Sequence, residues 1–195
     1  MVVRSMSVAT EHVGPWTITD VLALDDDGTH TRHELIDGQL IVSPAPGYPH
    51  QRASRRLATL LDHAATAAAA SVEVFEAVNV TTPSGLVIPD IAIVRADAAH
   101  NAESSLPASA ITAVIEIVSP NTRRIDRLVK PSIYAEAGIP TYWRLDLQPA
   151  PTLTIHTLYA GHYTELPTET DPGVYRVPVP FPITATLADL TTPQA

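Results

Sequence analysis

The chain has 195 residues, enough for one sizeable core, and its apolar segments are spread evenly, so a single domain over residues 1–195 is expected. With 45% apolar and 17% charged residues it is not a disordered chain, and no apolar run approaches the roughly 20 residues that cross a bilayer. A net charge of −9 excludes a protein held on nucleic acid by diffuse positive charge, and the absence of cysteine excludes disulfides and thiolate metal sites. The leader MVVRSMSVATEH carries no apolar block of secretory length, which predicts a cytoplasmic protein.

WTITDVLALDDDG predicts a short helix with Thr17 or Thr19 as N-cap, and Asp25, Asp26 and Asp27 a solvated loop before Gly28. HELIDGQLIVSP sets two apolar runs around Asp37-Gly38, a strong hairpin signal because both turn residues must accept positive φ. Glu34 falls on its first strand. PGYPHQRASRRLATLLDHAATAAAA predicts a helix with Pro49 in its first turn and Ala53, Leu57, Leu60, Leu61 and Ala64 on one face. SVEVFEAVNV and LVIPDIAIV read as strands joined by the turn TTPSG, and AITAVIEIV as a third strand after the polar crossing RADAAHNAESSLPAS. RRIDRLVKPSIYAEAG predicts a helix with the apolar stripe Ile125, Leu128, Val129, Ile133 and Ala137, ended by Gly138 and Pro140. Pro131 requires that this helix either start near it or kink there. TYWRLDL is a fourth strand, LTIHTLYAGHYTELP a hairpin, and VYRVPVPFPI a proline-rich edge. The order predicts an α/β fold, a mixed sheet flanked by helices, with an N-terminal helix and hairpin and a C-terminal hairpin extension.

Two acids are out of place in this pattern. Asp90 and Glu116 sit within runs that ask to be buried, and an unpartnered buried carboxylate costs several kcal/mol, about 3 or more. They either converge on a divalent ion with oxygen ligands, for which Mg2+ or Mn2+ is suited, or turn apart and pair with arginines. Lys130, the only lysine, follows on the helix that returns to the Glu116 strand. It is either an exposed helix residue or a compact charge beside a phosphate or its attacking water. The arginine groups 52, 55, 56 and 123, 124, 127 are either solvated faces or phosphate contacts.

Together these residues carry a resemblance. Pro89-Asp90 followed by Glu116-Ile117-Val118 resembles the PD-(D/E)xK motif of restriction-endonuclease-like nucleases. The longer succession ELIDG, SP, HQ, PD, ExxSP, DxxxK, YAEAGIP and YWxxD, over about residues 16–160, resembles the Uma-type family. The resemblance implies a restriction-endonuclease-like core and a metal-dependent nuclease acting on nucleic acid, DNA before RNA, as a homodimer. Asp90 and Glu116 would hold the metal with the Ile117 carbonyl as third ligand, Glu34 would add an acid, and His50 and Gln51 would line the edge. Arg52, Arg55 and Arg56 would then form a phosphate track. Val118 stands where the standard motif has its lysine, so Lys130 would supply that charge from the following helix. His33 replaces a more usual aromatic, a change read as harmless. Asp126 is expected to favour the dipole of its helix, and Tyr142 and Trp143 to be core or dimer contacts. The alternative from another class is a non-catalytic nucleic-acid-binding or regulatory module that keeps the fold, which the acidic charge and Val118 favour.

Overall fold

The apolar run Leu86–Val94 is divided between two sheets in the computed structural model, which describes residues 12–24, 31–118 and 125–193. The leader through residue 11, the run Asp25-Asp26-Asp27 with Gly28, and Arg123 and Arg124 lie outside the described residues. Helix α1 (Ile18–Leu22) is capped by Thr17, whose side chain accepts from the Asp20 N–H while Asp20 accepts from the Thr17 N–H. Strands β1 (Arg32–Ile36) and β2 (Gln39–Ser43) form the expected hairpin, with positive φ at both Asp37 and Gly38. Helix α2 (Tyr48–Ala67) carries Pro49 in its first turn and buries Ala53, Leu57, Leu61 and Ala65.

From there the chain departs from the expected elements. SVEVFEAVNV is two strands, β3 (Val72–Glu76) and β4 (Val80–Thr82), in different sheets, parted at Ala77, where φ is positive. LVIPDIAIV is likewise β5 (Gly85–Val87) and β6 (Ile91–Arg95). The break falls at Ile88-Pro89-Asp90 because proline has no N–H for a central ladder. Thus Asp90 sits at the crossing between sheets rather than in mid-strand. The polar crossing holds α3 (Ala96–Ala99), β7 (Leu106–Pro107) and a single 3₁₀ turn before β8 (Ile111–Val118). A π-helical turn, Ile125–Val129, precedes α4 (Lys130–Glu136), so the α-helix proper begins beside Pro131. Leu128, expected in the buried stripe, is 67% exposed, and the buried face of this segment carries Asp126, Lys130, Ile133 and Tyr134 instead. The wider π turn rotates the preceding residues relative to the α-helix, which an α-helical period does not foresee.

After β9 (Thr141–Asp146) come the hairpin of β10 (Thr152–Tyr159) and β11 (His162–Leu166), then β12 (Glu169–Asp171), β13 (Val174–Val177), β14 (Ile183–Thr186) and α5 (Leu187–Thr191). The central sheet has the order β11-β10-β9-β8-β6-β3 and is mixed, with β8 and β9 parallel and the other pairs antiparallel. A second sheet runs β2-β1-β5-β4-β7, and a third β12-β13-β14. On one face of the central sheet, α2 and the C-terminal strands enclose Ile91, Ile93, Ile115, Ile117 and Trp143. On the other, α4 covers Ala92, Val94, Val114 and Tyr142. Tyr142 and Trp143 are therefore core residues, 1% and 0% exposed. Among the described residues no helix is long and apolar enough to cross a membrane.

Strands β1 and β5 pair antiparallel with Gly85 opposite Ile36. Gly85 has φ +138°, and a Cβ there would stand 2.2 Å from the Leu35 carbonyl oxygen. Gly85→Ala is expected to destabilise the fold by about 3 kcal/mol through clash and strain together, read as a lower urea midpoint with an unchanged m-value.

Candidate active site

Where the chain crosses between sheets, its backbone leaves both ladders and needs other partners. Ile88 finds them in two charged side chains: its N–H donates to Glu34 Oε1 at 2.7 Å, and its carbonyl accepts from Lys130 Nζ at 3.2 Å. Lys130 also reaches Glu34 Oε1 at 3.0 Å and Glu116 Oε1 at 3.1 Å. Period-two alternation along β8 sends Ile115 and Ile117 to the α2 side, which turns Glu116 toward α4. There Tyr134, one helical turn after Lys130, donates its hydroxyl to Glu116.

Asp90 is held by a second set of donors. Its Oδ2 accepts from the Ile117 N–H at 2.8 Å and pairs with His50 Nε2 at 3.0 Å, while Oδ1 accepts from Arg32 at 2.6 Å. Both groups face one cavity of about 320 Å³, lined also by Asp126, Ser43, Pro46 and Gly47. Four acids from four segments thus meet two permanent cations, Arg32 and Lys130.

The electrostatics follow from that count. Burial works against ionised Asp90, but the hydrogen bond and charge of His50, with Arg32 and Lys130, hold it well below the usual carboxylate range. Burial pushes Glu116 up to about 8; Lys130 opposes this, while Asp90, Asp126 and Glu34 add to it. Lys130 is raised, because the surrounding acids outweigh the burial that would lower it. Burial, with Glu116 beside it, lifts Tyr134 well above the ordinary phenol value, so it stays a donor.

All four residues expected to be catalytic, Glu34, Asp90, Glu116 and Lys130, line this cavity. Asp90 is paired with an arginine, as one reading of the sequence allowed, yet it converges with Glu116 rather than turning away. Ile117 touches Asp90 through its N–H. His50 is buried on Asp90, while its Nδ1 has no partner among the described residues. Gln51 is spent on the Pro46 carbonyl. Arg52 and Arg55 line a second cleft of about 550 Å³ that shares Arg32, Pro46 and His50 with the first. Arg56 turns elsewhere, donating to the carbonyls of Asp189 and Thr192 near α5.

Two residues of the site, Arg32 and Tyr134, escaped the sequence reading, and Asp126, read only as favouring its helix dipole, lines the cavity. Arg32 lies two positions before Glu34 on β1, and thus on the same face; Asp126 and Tyr134 lie four before and four after Lys130. Those spacings were the available signal. Among the described residues no three acidic or histidine side chains stand together as a ready metal shell.

Because Glu116 binds its proton more tightly folded than unfolded, its contribution is fully present below about pH 4.5, the unfolded value, and is lost as pH rises through about 8. Asp90 works in the opposite sense: its stabilisation holds above the unfolded value of 3.8 and is lost as pH falls through the depressed folded value. In EDTA, urea unfolding from pH 5 to pH 9 is expected to show stability declining with pH, with a flatter profile for Glu116→Gln.

Residues 18–190 match the family model Uma2, whose description is "Putative restriction endonuclease". No curated protein matches the chain. Among solved structures, "a putative nuclease belonging to DUF820 from Anabaena variabilis ATCC 29413" has a TM-score of 0.70 at 18% identity, covering 91% of this chain and 98% of that one. The likeness at that identity is one of fold, a mixed sheet flanked by helices. With the family model spanning nearly the whole described chain, the protein belongs to the Uma2 family.

Proposed function

We propose that the cavity is the active site of a divalent-metal-dependent nuclease that hydrolyses phosphodiester bonds in DNA. The observation that carries the reading is the convergence of Glu34, Asp90, Glu116 and Asp126 with Lys130 in one cavity. A protein with no use for this charge would gain by replacing it with apolar packing.

The residues fit a hard divalent ion in type and in charge. All the acidic donors are carboxylate oxygens, which suit Mg2+ or Mn2+. The four acids exceed Arg32 and Lys130 by two, and Glu116 is raised first by burial and then by its acidic neighbours Asp90, Asp126 and Glu34. A ready shell of three side chains is not required, since such ions keep several waters and take one or two carboxylates plus substrate oxygens. Asp90 and Glu116, with the Ile117 carbonyl, would hold the ion. Bound there, it supplies a Lewis acid and an acidified water.

The remaining work falls to the chain itself. Lys130, with its three protons engaged by Ile88, Glu34 and Glu116, fixes both carboxylates and sets a positive charge on the wall where negative charge grows. His50 and the Ile117 N–H steady Oδ2 of Asp90. Tyr134 orients Glu116. The second cleft, with Arg52, Arg55 and the 83% exposed Tyr48, offers a path for the backbone of the substrate. A two-fold dimer would bring two such cavities to the two strands of a duplex.

A second reading, a nucleic-acid-binding module that keeps the fold, is favoured by one observation: Glu34, Asp90 and Glu116 each already have an internal cation. Plasmid incubation separates the two. Wild-type protein is expected to nick DNA with Mg2+ or Mn2+ but not in EDTA, and Glu116→Ala to lose at least about a hundredfold in rate. Binding without cleavage by well-folded wild type would select the module. In either case Arg52→Gln with Arg55→Gln is expected to lower the slope of log binding against log salt by about 2, at about 0.9 per lost phosphate contact. An unchanged slope would remove the second cleft from the substrate path.

A further inference from the structure

The two oxygens of Asp90 are not equivalent. Oδ2 is anchored by a backbone N–H, that of Ile117 at 2.8 Å, and by buried His50 at 3.0 Å. Among the described residues Oδ1 has one partner, Arg32, at 2.6 Å. The two cations of the cavity differ in the same way. Lys130 is 5% exposed in its side chain and bound by three acceptors from three segments. The Arg32 side chain is 24% exposed, holds a single carboxylate oxygen among the described residues, and lines both clefts.

We infer that Arg32 is an internal counter-cation on Oδ1 of Asp90, which a divalent ion must displace to bind. The inference rests on the metal-dependent reading and adds to it a residue that sets metal affinity. Its physical basis is competition. A buried carboxylate facing Glu34, Glu116 and Asp126 needs a positive neighbour in the metal-free protein, and a guanidinium supplies it without being consumed. A divalent ion brings twice the charge to the same oxygen and relieves the neighbouring acids as well. The exposure of Arg32 gives its guanidinium water to turn into, so displacement does not strand a buried charge. Metal occupancy is thereby made weaker than the acids alone would allow, and Arg32 is a positioning residue for Asp90.

The test is Mn2+ binding by the full chain at pH 7, followed by the electron paramagnetic resonance of free Mn2+, which reads no catalysis. Arg32→Met is expected to bind Mn2+ about tenfold or more tightly than wild type, since a charge-assisted hydrogen bond no longer competes. Arg32→Lys, which keeps the charge, should stay near wild type. Equal or weaker binding by Arg32→Met, with wild type binding Mn2+, would overturn the inference and leave the metal site standing. No Mn2+ binding by wild type or by Arg32→Met would overturn the metal site and the inference together. Should Arg32→Met not fold, the guanidinium resonance of Arg32 in wild type decides, assigned by its loss in Arg32→Lys. Under Mg2+ it is expected to move toward the position of solvated arginines; a resonance unmoved while Mg2+ binds would refute displacement.

Discussion

Everything in the cavity depends on one buried ammonium group. Lys130 joins a carboxylate of the hairpin sheet, a carboxylate of the central sheet and the backbone carbonyl of the segment that passes between them. Two buried acids on different sheets repel each other and resist burial; a shared cation with three donors satisfies both and ties the sheets together at that point. The position of the cation is in turn set by α4, which packs Ile133 and Tyr134 into the core. Core packing and site chemistry therefore share the same half-dozen residues.

The segment before α4 shows how the chain accommodates that demand. Pro131 cannot donate inside an α-helix, yet Lys130 must stand beside it. Starting the α-helix at Lys130 places Pro131 in the first turn, where no intrahelical donor is needed. The preceding π turn carries Asp126 inward and Arg127 to Asp146, which also receives Arg144. Leu128 is left outside. Burial was assigned here by the electrostatic requirement of the cavity, against the apolar preference of a leucine.

The break at Pro89 serves the same end. A continuous strand would have kept Asp90 in a ladder with its side chain pointing along one sheet face. Breaking it leaves Asp90 at the crossing, within reach of β1 through Arg32, of α2 through His50 and of β8 through the Ile117 N–H. Three elements distant in sequence meet on one carboxylate because that carboxylate belongs to no ladder.

What could be read from the sequence was local or periodic. The Asp37-Gly38 hairpin, the buried face of α2, the core strand through Trp143 and the presence of two misplaced acids with one lysine all follow from turn chemistry, alternation and charge. Asp90, Glu116 and Lys130 were singled out because buried charge is rare and a single lysine is conspicuous; Glu34 was implied only by the family resemblance. The sequence did not disclose the division of LVIPDIAIV between two sheets, the π turn, or the separate fate of Arg56, which caps the C-terminal segment. Nor did it disclose Arg32 as the partner of Asp90, fifty-eight residues away in sequence. Such pairings depend on which elements become neighbours, a global outcome of packing. Residue types and short spacings announced that buried charges needed partners; only the tertiary structure decided which ones they received.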